Sequence, residues 1–368
     1  MPDSLLGSAW PVMYGELGVP ISFAGVITMI IAGGTIVSSL LSDRLTKRFG
    51  AGVVTAVSVL MTAAALFGFS ITHSFLFLCL WAVPYGLGAG AVDAALNNYV
   101  ALHYASRHMN WLHCFWGIGA AVSPYIMGFC LSGGFGWHNG YRSVAVVQVV
   151  LTVVLFLSLP VWNQNNADET AQEATPGRAL GIRQILKIKG APLILVTFFA
   201  YCALEQTTGL WASSYLVQAR GLDTAIAARF ASLFFMGITF GRFLSGFVAD
   251  RLGDRQLIRI GILTMIIGMV LLFLPGAALP LSGLIIVGLG CAPVYPSIIH
   301  STPANFGKEN SQAMIGVQMA SAYVGSTFMP PLFGLFAAHI RLFPAFLLLF
   351  AVLMLCMSER LNRMVANG

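Results

Sequence analysis

The chain has 368 residues, of which 58% are hydrophobic and only 9% charged, with a formal net charge of +6. Soluble domains carry roughly 25% charged residues, so this composition excludes an ordinary water-soluble protein and defines a membrane protein. The basic residues are scattered over short loops rather than gathered in one patch, which excludes a nucleic-acid surface and leaves membrane topology as their explanation.

Residues 1 to 15, MPDSLLGSAWPVMYG, read as the second half of a helix, with Trp10 and Tyr14 suited to an interface before Glu16 and a Gly-Val-Pro turn. The segment is too short to cross a bilayer, so the first helix is expected to be truncated by about 10 to 20 residues, through an upstream start or a shortened form. Spans are then expected near 20-42, 51-71, 74-101, 110-132, 143-162, 191-218, 224-248, 256-275, 278-301, 310-338 and 341-357. Stretches such as Leu193 to Leu204 and Ile260 to Leu274 are apolar on every face. Lipid offers the backbone no hydrogen-bond partner, so such spans must be helices.

Between the spans, the longest polar segment is Asn163 to Gly190, acidic first and basic later. It reads as a solvated connector, with a short surface helix near Ile182 to Ile188. The expected organisation is a helical bundle over 1-162, a cytoplasmic connector over 163-190 and a second bundle over 191-368. If the Asp43 to Arg48 loop is cytoplasmic, that side also receives Arg107, Arg178, Arg183, Lys187, Lys189, Arg251, Arg255, Arg259, Lys308, Arg360 and Arg363. The positive-inside bias is then satisfied and the C-terminus lies inside.

The six cysteines, Cys79, Cys114, Cys130, Cys202, Cys291 and Cys356, all fall in apolar segments without CxxC or Cys/His spacing. They read as packing residues, neither disulfides nor a metal site. No Walker-type loop, Gly-x-Ser-x-Gly elbow or His-Glu-x-x-His pair is present, so no catalytic set and no cofactor are expected.

The halves repeat one another. SLLSDRLTKR (Ser39 to Arg48) matches GFVADRLGDR (Gly246 to Arg255), and WPVMY (Trp10 to Tyr14) matches WASSY (Trp211 to Tyr215). One six-helix unit used twice is the pattern of transporters built from parallel repeats.

The Asp-Arg-Leu turns resemble the signature loop of the major facilitator superfamily, and with the span count the resemblance covers essentially the whole chain. It implies an all-α membrane fold of two six-helix bundles. Asp43, Arg44, Asp250, Arg251 and Arg255 are then expected to gate and brace the bundles rather than to bind solute. Ser39 and Thr46 stand where that motif often has Gly. A narrower similarity, carried by PDSLLGSAWP, GAGAVDAALNNYV and NWLHCFWGIGAAVSP, is to the fucose permease-like branch of sugar-proton symporters. There an acid in helix 1 and another in helix 4 serve sugar binding and proton coupling, positions that fall on Asp3 and Asp93; His113 takes the place of a polar residue in helix 5.

A carboxylate at mid-membrane costs about 2.5 to 3.5 kcal/mol on insertion scales, so Asp93 needs a cavity or a partner. At helical spacing it shares a face with Asn97, which Gly86, Ala89 and Gly90 continue; those small residues either pack helices closely or leave room for a solute. Asn97 either binds hydroxyl groups or ties two helices. In the next span Asn110, His113 and Gly117 form one stripe, and His113 is either a satisfied core residue or a solute and proton partner. The second half supplies Tyr201, Glu205 and Thr208 on one face, with Glu205 near the repeat position of Asp3 and Trp211 about a turn beyond. Aromatic rings beside carboxylates and amides suit a carbohydrate, although Trp211 also fits an interface belt. Tyr295, in a Gly- and Pro-rich segment, and Gln318 are further lining candidates, while Arg242 is expected near a helix end, snorkelling or bridging to Asp250.

Proton coupling is thus assigned to Asp93, Asp3 and Glu205, and solute binding to Asn97, Asn110, His113, Tyr201, Trp211, Tyr295 and Gln318. The expected function is proton-coupled symport of a monosaccharide by a monomer in a bacterial inner membrane, its partners being solute, protons and lipid. The alternative is a proton-coupled exporter of amphipathic compounds; a non-transporting sensor is disfavoured because no soluble domain is appended.

Overall fold

A computed structural model describes residues 4–170 and 180–366, without the side chains of 163–170, 225, 228, 337 and 366. Among the described residues the regular elements are all helical. In chain order they are α1 (Leu5–Glu16), α2 (Ala24–Phe49), α3 (Ala51–Ile71), α4 (Phe75–His103), α5 (Ser106–Ser132), α6 (Gly136–Thr170), the single turn α7 (Ile182–Ile185), α8 (Ala191–Arg220), α9 (Thr224–Leu252), α10 (Asp254–Phe273), α11 (Ala278–His300), the short α12 (Thr302–Phe306), α13 (Lys308–Gly334) and α14 (Phe343–Ala366). Each of the eleven expected spans falls on one long helix, and the N-terminal fragment is α1. Among the described residues ten helices are long and apolar enough to cross a membrane. The remaining long helix, α13, carries Ser311, Gln312, Gln318, Ser321 and Ser326, which lower its hydropathy.

Contacts divide the chain into two compact units. Unit 1 holds the described residues up to Tyr99 together with Ile118–Gly181; unit 2 holds Val100–Gly117 and the described residues from Ile182 onward. The first half of α5 therefore clusters with the C-terminal helices.

In unit 1 the core gathers Leu5, Trp10 and Met13 of α1 with Ile27, Leu66, Phe69, Leu78, Tyr85, Met127, Trp137 and Tyr141. Glu16, exposed at the end of α1, accepts the indole N–H of the buried Trp137 at 2.7 Å, which satisfies the one polar atom of that ring. Helices α2 and α4 touch backbone to backbone. A Cβ on Gly86 would lie 2.3 Å from the Ile31 carbonyl oxygen, and one on Gly90 2.1 Å from that of Thr35. Thr35 and Ser39 use the closeness to donate hydroxyl hydrogen bonds at 3.2 Å to the carbonyls of Gly86 and Gly90. Of the two readings of this Gly stripe, the structure shows close helix packing. On α6, Val146, Val150, Val153 and Leu157 recur at helical spacing and are all exposed, an apolar stripe that fits lipid.

Unit 2 repeats the packing device. Gly288 of α11 meets the Phe234 carbonyl of α9 as Gly86 meets Ile31, a Cβ there falling at 2.3 Å. The helix-to-helix turns share a backbone conformation, although at different positions of the repeated motif: Gly50 (φ 81°, ψ 154°) links α2 to α3, and Gly253 (φ 75°, ψ 160°), aligned with Thr46, links α9 to α10. Positive φ at those turns suits only glycine without strain. The two indoles of the repeated Trp-x-x-x-Tyr motif each donate to a backbone carbonyl, Trp10 to Ile21 at 2.7 Å and Trp211 to Pro330 at 2.9 Å.

Candidate functional site

Four helices of unit 2 bring ionisable and aromatic side chains together. From α8 come Tyr201 and Glu205, one turn apart; from α9, Arg242; from α11, Cys291 and Tyr295; and from the first half of α5, His113 and Trp116. Glu205 is 6% and Arg242 2% exposed, and Arg242 Nη2 stands 3.9 Å from Glu205 Oε2. The other guanidinium arm, Nη1, donates to the His113 carbonyl at 3.5 Å.

Rings enclose the pair. The Tyr295 ring centroid lies 4.7 Å from that of His113, 4.7 Å from that of Phe198 and 5.8 Å from that of Tyr201. The guanidinium carbon of Arg242 is 5.8 Å from the ring centroids of both Trp116 and Tyr295, within cation–π range. Tyr201 donates its hydroxyl to the Cys291 carbonyl at 3.0 Å, which fixes the ring beside Glu205. A buried ion pair rarely contributes net stability, because desolvation offsets the attraction. Two charges held inside apolar helices therefore make this cluster the candidate functional site.

Tyr201, Glu205, His113 and Tyr295 thus meet in one cluster. Arg242 does not behave as expected from sequence: Asp250 is instead paired with Arg107, which approaches it through Nε at 3.4 Å and through its backbone N–H at 3.3 Å. The overlooked signal was depth, for Arg242 lies eight residues before Asp250, about 12 Å along a helix, too deep in an apolar run for snorkelling.

The other sequence candidates have other surroundings. Asn110 is fully buried and donates to the Ser106 carbonyl at 3.0 Å, leaving its Oδ1 without an acceptor's partner. Gln318 accepts from Thr302 at 3.1 Å, and its buried Nε2 has no partner. Trp211, besides its bond to Pro330, sets its ring edge on Phe333 at 5.6 Å. In unit 1, Asp93 is half-buried and accepts from the Asn97 amide at 3.2 Å, while the same amide donates to the Asp93 carbonyl at 2.8 Å. Asp3 lies outside the described residues.

At the repeated turns, Asp43 is buried, pairs with Lys47 at 3.0 Å and accepts the backbone N–H of Leu180 at 3.2 Å. Arg44, Arg251 and Arg255 are exposed. Beyond Asp250, a second acid that sequence reasoning passed over, Asp254, accepts from Ser106 at 2.7 Å and pairs with His300 Nδ1 at 2.6 Å; His300 Nε2 meets the Tyr104 carbonyl at 3.0 Å. These contacts tie the α4–α5 turn to the start of α10 and the end of α11.

Membrane-length helices that carry a repeated motif, with charges buried among those of unit 2, are the pattern of a polytopic membrane protein. The sequence pattern of the Major Facilitator Superfamily matches residues 1–298 and 230–361, and the chain belongs to that family. It is 25% identical to the membrane protein MosC of Rhizobium meliloti over 360 residues, 95% of this chain and 84% of that one. It is 22% identical to the glucose/mannose transporter GlcP of Bacillus subtilis, over 79% of this chain and 73% of that one. Among solved structures, that of the E. coli fucose:proton symporter FucP superimposes with a TM-score of 0.73 at 14% identity, covering 98% of this chain and 95% of that one. The protein is a multi-pass membrane transporter of this superfamily.

Proposed function

We propose that this transporter moves a monosaccharide together with protons by alternating access, as a monomer in a bacterial inner membrane, with its C-terminus cytoplasmic. The observation that carries the reading is the buried Glu205–Arg242 pair among the rings of Tyr201, Tyr295, His113 and Trp116. Rings stack on the apolar faces of sugars while charged and amide groups bind hydroxyls. Similarity to a glucose/mannose transporter and to the fold of a fucose:proton symporter supports the same class.

Glu205 and Asp93 are the proton carriers in this reading; Asn97, Asn110 and His113 bind hydroxyls, and the turns at Asp43, Arg44, Asp250, Arg251 and Arg255 govern conformational exchange. Loading a carboxylate with a proton removes the charge that would otherwise oppose closure around the solute. Proteoliposome uptake of a panel of hexoses and pentoses, with and without an inward proton gradient, tests it. Gradient-driven accumulation is expected; no uptake of any sugar, or proton-driven expulsion of amphipathic cations instead, would refute it.

A further inference from the structure

Arg242 is buried, yet its Nε–H has no hydrogen-bond acceptor. The nearest carboxylate oxygen, of Glu205, stands 3.9 Å from Nη2, beyond hydrogen-bonding distance, and the His113 carbonyl is reached by Nη1 only at 3.5 Å. A guanidinium presents its donors as a rigid planar fork that matches a two-oxygen anion bidentately. Here one edge of the fork, running from Nε, is unsatisfied, and the flat group lies beside the rings of Trp116 and Tyr295. A neutral hydroxyl would satisfy Nε–H alone. A carboxylate would satisfy Nε–H and an Nη–H together and supply the close countercharge that Glu205 does not.

The geometry points to a solute that carries a carboxylate: a sugar acid whose two carboxylate oxygens close on the Nε edge of Arg242, while Glu205 takes the co-transported proton. The inference rests on the sugar-symport reading above and narrows its substrate class. The charge count is simple. With the solute bound, two carboxylates face one guanidinium, and one proton restores balance by forming an O–H bond on Glu205, whose own cation the solute has taken. On release the proton leaves Glu205 and the original pair returns. The other titratable groups around these two residues are Tyr201 and Cys291, which face both, Tyr201 also hydrogen-bonding the Arg242 side chain, and His113, Cys114 and Tyr295, beside Arg242.

The experiment uses the full chain in proteoliposomes, with labelled D-glucuronate, D-gluconate, D-glucose, D-glucose 6-phosphate and benzoate as probes. D-glucuronate or D-gluconate is expected to enter at least about tenfold faster than D-glucose, the discrimination expected when a buried charged group goes unpaired with the neutral analogue. Arg242→Lys, which keeps the charge and loses the fork, should weaken sugar-acid uptake by roughly tenfold or more, and Arg242→Gln should abolish it. Glu205→Gln should exchange the sugar acid across the membrane without gradient-driven accumulation. Melting temperatures of the three variants in detergent distinguish lost binding from lost fold, and Arg242→Lys keeps the test decisive if Arg242→Gln does not fold. Uptake of D-glucose with the sugar acids inert, or preference for the phosphate ester, overturns the carboxylate inference and leaves sugar symport standing. Arg242-dependent uptake of benzoate with every sugar inert overturns the sugar reading and keeps the carboxylate site. If none of the probes moves, both fail.

Discussion

A carboxylate inside an apolar helix needs a partner, and Asp93 and Glu205 have different ones. Asp93 is half-buried and its acceptor oxygen is met by the Asn97 amide one turn away. Glu205 is buried against Arg242. Removing one member of a buried pair strands the other, so Glu205→Ala should destabilise the protein by about 3 to 5 kcal/mol, read as a lowered melting temperature in detergent. Asp93→Asn should leave the melting temperature nearly unchanged and abolish proton-driven accumulation; uptake at the wild-type level would remove Asp93 from the coupling scheme. Both acids were legible in the sequence because a charge in an apolar run is costly enough to stand out. Arg242 was legible as a charge but not as a partner, since nothing in a linear sequence says that α8 and α9 bring residues 205 and 242 side by side.

At the scale of the helix, glycine decides where backbones meet. Any side chain at Gly90 would occupy the space of the Thr35 carbonyl and the Ser38 and Ser39 hydroxyls. Gly90→Val should therefore cost at least about 1 to 3 kcal/mol of stability by overpacking and lower the yield of folded protein, whereas Gly25→Ala, with open space around it, should not. The latch at Asp254 is a second element-level feature. Asp254→Ala deprives both Ser106 and His300 of an acceptor, an expected loss of about 1 to 3 kcal/mol read in the same melting assay. The Arg259–Glu359 pair makes two short hydrogen bonds but is exposed at Arg259, so Glu359→Gln should change the melting temperature little. Helix number and type were readable from hydropathy alone, and every expected span coincides with a long helix. The function of the small-residue stripe was not, because spacing cannot distinguish a face that packs on a neighbour from one that faces solute.

For the whole molecule, the repeat is the dominant fact. The Gly86 and Gly288 contacts and a positive-φ glycine after α2 and after α9 recur in the two halves, and the Trp of each Trp-x-x-x-Tyr motif is bound to a carbonyl, though at unrelated positions, Ile21 and Pro330. The repeat is legible in the sequence alone, in the Asp-Arg-Leu and Trp-x-x-x-Tyr pairs. The surroundings of the two turns have nevertheless diverged: Asp43 holds Lys47 and the Leu180 backbone, Asp250 holds Arg107. The partners differ because the motif itself has diverged, Lys47 of the first copy standing where the second has Asp254, and because Leu180 and Arg107 come from segments outside it. Chain parity predicts that the basic residues gather on the cytoplasmic side, so a C-terminal reporter fusion should fluoresce in the cytoplasm, and a reporter active only outside it would reverse the orientation.

The neighbourhood of Trp116 gives the protein a native optical signal. Its indole lies within reach of the Arg242 charge, and indole emission responds to the field of a nearby ion. Any molecule that re-partners that guanidinium should shift the colour of the protein's own ultraviolet glow. Libraries of unlabelled compounds can therefore be screened in a cuvette, and the cargo found before anyone knows what to radiolabel.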